Sequence, residues 1–136
     1  MAFNSDNIAY PYGPDGALER YGVTVEVISV EDSGGPLTVG ALTDGDVDLA
    51  DIYTSSPAIE ENNLVVLEDP EFLILPQNVV PIATDQLPAE AVNAINAVQA
   101  ELGPDDLIEL NAQSVNEQAA AADVASAWLA DHDLSR

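Results

Sequence analysis

The chain has 136 residues, 47% of them hydrophobic, which is enough for one domain with a real core and too much for a disordered acidic tail. It carries 25 Asp and Glu against two Arg (Arg20 and Arg136) and no Lys, a formal net charge of −23. That surface repels phosphate backbones and anionic lipid, which argues against nucleic-acid and membrane-surface binding; it reads as adaptation to high salt or deliberate surface supercharging, with an ordinary acidic solubility bias as the plain alternative.

No apolar run approaches the roughly 20 residues that span a bilayer. Met1 to Tyr10 has neither a basic nor an apolar leader region, so no signal peptide is expected in it. The absence of cysteine excludes disulfides and thiolate metal sites.

Residues 1–16 are rich in turn formers (Asn4, Asp6, Asn7, Pro11, Gly13, Pro14, Asp15, Gly16) and read as an irregular lead-in, with a short strand around Ile8 to Tyr10. A short helix over 15–21 should close at Gly22. Val23 to Val30 alternates apolar and polar residues and reads as a strand. Asp32-Ser33-Gly34-Gly35 leads into a helix with Pro36 at its first position and Gly45 beyond its end. A second strand runs 47–53, on Val47, Leu49 and Ile52. Strand, helix and strand in about 30 residues predict a βαβ unit and a parallel sheet. Leu64 to Leu67 and Asn78 to Ala83 are further strands, the latter at an edge because Pro81 lacks an N–H.

Beyond Pro88 the period becomes helical. Val92, Ile95, Val98 and Leu102 share one face, Gly103-Pro104 starts a second helix through Leu107, Ile108 and Leu110, and Asn116 should cap a third bearing Val124, Trp128 and Leu129. The expected architecture is α/β: one domain over 1–136, with a small, mainly parallel sheet over 17–85 flanked by helices, then a helical region over 86–136 with three C-terminal helices. Phe72 and Trp128 are expected in the core.

Catalytic chemistry is hard to assemble here. The single His132 lies four residues from the end and reads as a frayed terminal residue. Asp44, Asp46 and Asp48 imitate the start of a calcium loop, but Leu49 and Ser55 stand where Gly and Glu are required. Ser33-Gly34-Gly35 at a helix start offers a weak anion site, more simply a tight turn. No cofactor and no metal are expected. The aromatics are more telling: Tyr10, Tyr12 and Tyr21 cluster early, while Tyr53 and Thr54 follow the 47–53 strand, where open α/β sheets hold ligands. A tyrosine face attracts a quaternary ammonium, although taken alone packing at a strand end is the plainer role for Tyr53.

The ordered set Asp32-Ser33-Gly34-Gly35-Pro36-Leu37-Thr38-Val39, Gly45-Asp46-Val47-Asp48, Tyr53-Thr54, Pro57-Ala58-Ile59, Leu64 to Asp69, Gln77 to Pro81, Ala94 to Ala97, Asp106 to Asn111, Asp123 to Ala125 and Trp128-Leu129 resembles the glycine betaine/choline-type solute-binding proteins of ABC importers. The resemblance covers roughly residues 10–130. It implies one lobe, or parts of both, of a two-lobed periplasmic-binding-protein fold that closes on a quaternary ammonium solute in an aromatic box. It further implies delivery to an ABC permease and an extracellular or periplasmic location. On this reading Tyr53, Thr54, Tyr12 and Tyr10 are the ligand-binding candidates, with no catalytic role for the chain. Family members are longer, and the section supplying most of one lobe has no counterpart here. Those that hold a betaine carboxylate through Arg place it near the segment matching Tyr12 to Gly16, which has no Arg. The alternative is a salt-adapted structural module that covers an orphaned cleft by forming a homodimer.

Overall fold

The computed structural model describes residues 1–134; the last two residues of the expected helical region lie outside them. The chain divides into two compact units, one of residues 1–54 and 58–77, the other of residues 55–57 and 78 onward.

The first unit is built on β1 (Ala2–Phe3), the strand that periodicity cannot reveal. The chain then turns through a 3₁₀ turn (Ser5–Asn7) into α1 (Pro14–Tyr21) and returns in β2 (Ile28–Ser29). Next come α2 (Pro36–Thr43) and the single-turn α3 (Ala58–Glu61). β2 runs parallel to β1, pairing Ala2 with Ile28 and Phe3 with Ser29. On the other side of β1, Ala50 makes a parallel bridge to Ala2. The Ala2 N–H donates to the Leu49 carbonyl (2.8 Å), and the Asp51 N–H to the Ala2 carbonyl (3.1 Å). The two segments of the expected βαβ unit thus lie parallel on either side of β1 and do not pair with each other.

Phe3 and Ala2 form the buried centre, joined by Val47 and Thr38. The helix boundaries follow local chemistry. Gly22 closes α1 in the left-handed conformation (φ 69°), receiving its place in the chain from N–H bonds to Ala17 and Leu18. Pro36 opens α2 where a missing N–H costs nothing. Asp69 ties the 69–74 turn to α1: its carboxylate accepts from the Tyr21 hydroxyl and from the N–H groups of Leu73 and Ile74. The Tyr21 oxygen accepts in turn from the Glu71 N–H (2.9 Å).

Several expectations need correction. No strand forms at Ile8 to Tyr10, because Ile8, Tyr10 and Gly13 donate their N–H groups to Ser5, Asn7 and Tyr10 in successive turns. Only Ile28–Ser29 of the 23–30 segment and Ala50 of the 47–53 segment join the sheet. Residues 64–67 and 78–83 have no regular secondary structure and join no sheet among the described residues. An extended stretch becomes a strand only where a partner presents matching donors and acceptors, a non-local requirement. Phe72 is 70% exposed and outside any core.

The second unit holds α4 (Ala89–Glu101), α5 (Pro104–Val115) and α6 (Ala121–Asp131), the three expected helices. Asn111 anchors residue 55 by donating from Nδ2 to the Ser55 carbonyl (3.0 Å). Asn116 does not cap α6. It ends α5, and Gln118 turns the chain in the left-handed region (φ 54°) before Ala120 starts α6. An apolar groove of about 420 Å³ runs between the helices, lined by Val98, Leu102, Leu110, Val124, Trp128 and Leu129 among others.

Asp106 organises the junction of α5 and α6. It accepts from the Gly103 N–H (2.7 Å), half of a capping box, and from Trp128 Nε1–H (3.0 Å). His132 is no frayed end: its ring stacks on Trp128 at 4.0 Å. Its Nδ1 lies 2.8 Å from the Trp128 carbonyl, which only accepts, so Nδ1 carries the proton. Nε2 lies 3.8 Å from Asp106 Oδ1.

The Trp128 hydrogen bond first, then the Gly103 N–H, with nearby His132 adding to both, hold Asp106 below the usual carboxylate range. A lowered folded pKa means stabilisation complete above the unfolded Asp value of about 3.9 and lost as pH falls through the lower folded value. The near-ultraviolet circular dichroism of Trp128 should therefore keep its Asp106-dependent component down to about pH 4 and lose it below. Asp106→Asn should remove that acid step.

Candidate functional site

The carboxyl ends of β1, β2 and the Ala50 segment lie side by side, since all three run parallel. Asn4 follows β1, Ser33 follows β2 after a short turn, and Asp51, Ile52, Tyr53 and Thr54 follow Ala50. Asn4 Nδ2 donates to Ser33 Oγ at 3.1 Å, joining two of these ends. Gly34 is required here twice over. Its φ is +86°, and a Cβ would come within 3.0 Å of the Asp51 carbonyl oxygen and the Ile52 Cα.

Two of the expected site residues meet directly. The rings of Tyr10 and Tyr12 stack, with centroids 5.4 Å apart and planes 9° from parallel. Tyr12 also meets Phe3 edge to face at 6.4 Å, so the buried centre of the sheet supports the stack from beneath. The Tyr12 hydroxyl donates to Asn7 Oδ1 (3.4 Å). Burial first, then the proximity of Tyr10, Asp51 and Tyr53, pushes the Tyr12 phenol above its ordinary value. Tyr53 and Asp51 thus belong to the same electrostatic neighbourhood. Tyr53 is 56% exposed, so its ring is not packed inward among aliphatic neighbours. Thr54 is exposed in the turn after it. Gly16 keeps the Tyr10–Tyr12 loop against α1, because any Cβ there would overlap the Pro11 carbonyl oxygen.

Sequence reasoning missed three residues of this neighbourhood: Phe3, Asn4 and Asp51. Phe3 sits in a strand too short to show a period, and Asn4 directly follows it. Asp51 carries a weaker signal, the second of two acids (with Asp48) in the 47–53 segment and two residues before Tyr53.

The glycine turn before α2 is not a free anion site. The N–H groups of Leu37 (2.6 Å) and Thr38 (3.3 Å) donate to Asp32 Oδ2, and the Thr38 hydroxyl to Oδ1 (2.5 Å). The chain fills that helix N-terminus with its own carboxylate. Partial burial opposes these bonds, but together they lower the Asp32 pKa.

Among the described residues no group of His, Asp and Glu has the arrangement of a metal site, and no helix is long and apolar enough to cross a membrane. Tyr53 stands exposed beyond the carboxyl end of the Ala50 segment, the edge at which open α/β sheets hold ligands. Residues 1–131 match the family described as the substrate binding domain of ABC-type glycine betaine transport system, and the chain belongs to that family. No curated protein and no solved structure matches it. Its mixed α/β fold, a small parallel sheet flanked by helices and followed by C-terminal helices, agrees with a lobe of a periplasmic-binding-protein fold. Family membership makes the chain a non-catalytic substrate-binding component of ABC import for quaternary ammonium osmolytes.

Proposed function

We propose that the chain receives glycine betaine or choline against Tyr10, Tyr12 and Tyr53, with Thr54 as a polar neighbour, and presents it to an ABC permease on the outer side of the membrane. The supporting observation is the stacked Tyr10–Tyr12 pair at the carboxyl edge of the sheet, in the electrostatic neighbourhood of an exposed Tyr53. A methylated ammonium has no N–H to donate. It is recognised by the negative face of an aromatic ring, at about 0.5–2 kcal/mol per ring depending on desolvation. Family membership supports this ligand class and an importer as partner.

Calorimetric titration of the whole chain tests the site. Tyr12→Ala should weaken binding of a quaternary ammonium ligand by about tenfold, because it removes one ring and unseats Tyr10. Tyr12→Phe keeps both rings and should stay within about threefold of the parent. Equal affinity for Tyr12→Ala and the parent would move the ligand elsewhere.

A further inference from the structure

The end of α6 carries a group that substrate binding leaves idle. Among the described residues of the second unit, His132 is the only side chain able to become a cation. Its ring stacks on Trp128 at 4.0 Å, and its Nδ1–H donates to the Trp128 carbonyl. In the neutral ring Nε2 therefore keeps a bare lone pair. That lone pair lies 3.8 Å from Asp106 Oδ1, an acceptor set against an acceptor. The Trp128 indole N–H already donates to the same oxygen. One side of the Asp106–Trp128–His132 triangle is thus unmade, and a proton on Nε2 is what makes it.

The charges around the ring favour that proton. Asp106 is the acid that α5 turns toward it, kept ionised by its bonds to Trp128 and Gly103. Asp131 and Asp133 flank His132 on its own segment. Where α4 nears the end of α6 it presents Ala94, Ile95 and Val98, none of them charged. His132 is also the C-cap of α6, where the helix dipole attracts positive charge, and the indole face beneath it attracts a cation.

We propose that His132 is a proton-operated latch. In mildly acid solution its imidazolium ties the C-terminal end of α6 to Asp106 in the first turn of α5, and in mildly alkaline solution the tie is released. The sign follows from linkage: stabilisation carried by a bound proton is present at the lower pH and lost as pH rises. Trp128 lines the apolar groove of the second unit, so the same proton fixes one wall of that groove. The latch is independent of the tyrosine site, which lies in the other unit.

Hydrogen exchange of the whole chain tests it, at about pH 5.5 and about pH 8 in about 2 M KCl, which screens diffuse repulsion between surface acids more than a pair in contact. The N–H groups of Asp133 and Leu134 bond to the Ala130 and Leu129 carbonyls and report the last turn of α6. Corrected for the intrinsic pH dependence of exchange, their protection in the parent should be about threefold or more greater at the lower pH. His132→Gln should abolish the difference. Asp106→Asn, which keeps an oxygen for the indole N–H but no charge, should abolish it too. Replacing the flanking acids together, Asp131→Asn with Asp133→Asn, should leave it in place. No difference in the parent, or an equal one in His132→Gln, overturns the latch. A difference that survives Asp106→Asn, or is lost with the flanking acids, overturns the tie to Asp106. Should Asp106→Asn fail to fold by circular dichroism, His132→Gln and the flanking pair decide.

Discussion

Raising KCl from 0.1 M to 2 M should lift the thermal midpoint of this chain by about 10 °C or more. The cause is the charge inventory: 25 carboxylates share residues 1–134 with a single guanidinium, Arg20. At 0.1 M the screening length is about 10 Å, which leaves neighbouring surface acids in mutual repulsion; at 1 M it is about 3 Å and most of that repulsion is gone. The unfolded chain spreads the same charges further apart and gains less from screening. Relief of a few kcal/mol corresponds to roughly the stated shift for a protein of this size. Differential scanning calorimetry in a KCl series reads it directly. A midpoint independent of salt would show that the acidic surface is ordinary solubilising charge.

Phe3→Ala should be the most damaging single substitution in the first unit. Phe3 is 2% exposed, the largest side chain at the buried centre of the sheet, and it carries Tyr12 on its edge. Truncating a buried Phe to Ala costs about 3–5 kcal/mol. The buried set around it is small (Ala2, Val47 and Thr38), so little is available to collapse into the void. The N–H groups of Ile28, Val30 and Asp51 donate to the carbonyls of Met1, Phe3 and Ala2. Hydrogen exchange at those three amides should rise to near unprotected rates in Phe3→Ala, while Phe3→Leu, which keeps most of the volume, should retain protection. Unchanged exchange in the alanine variant would mean that the strands hold without the ring.

The helices were legible because their signals are local. Pro36 at a first helical position, Gly22 after Tyr21, and Gly103-Pro104 between two apolar periodicities each act within a few residues, and each marks a real boundary. The sheet was legible only as a class. Its central strand is two residues long, and two residues cannot display a period of two; what makes Ala2–Phe3 central is pairing with partners 26 and 48 positions away. The same reason explains the overcalled strands, where β-branched composition at Val65-Val66 and Val79-Val80 reports a preference but no partner. Tyr53 could be singled out because it follows a strand end. The stacking of Tyr10 on Tyr12, the support from Phe3 and the presence of Asp51 depend on how distant segments meet. Trp128 and His132 show the limit from another side: a five-residue window holds both, but the Asp106 that organises them lies 22 positions before Trp128.

Around the 69–74 turn, Val65, Val66, Leu67, Phe72 and Leu75 are open to solvent, yet Glu68, Asp69, Pro70 and Glu71 interrupt this apolar run. Exposed apolar runs of this kind invite cross-β association, and charged or imino-acid interruptions are what stop it. The acidic bias thus has a second consequence, felt between molecules: these carboxylates act as gatekeepers of colloidal behaviour. Acidification that neutralises them removes the interruption and the mutual aversion of copies at once, so the chain should clump most readily near its isoelectric point of about 4.1.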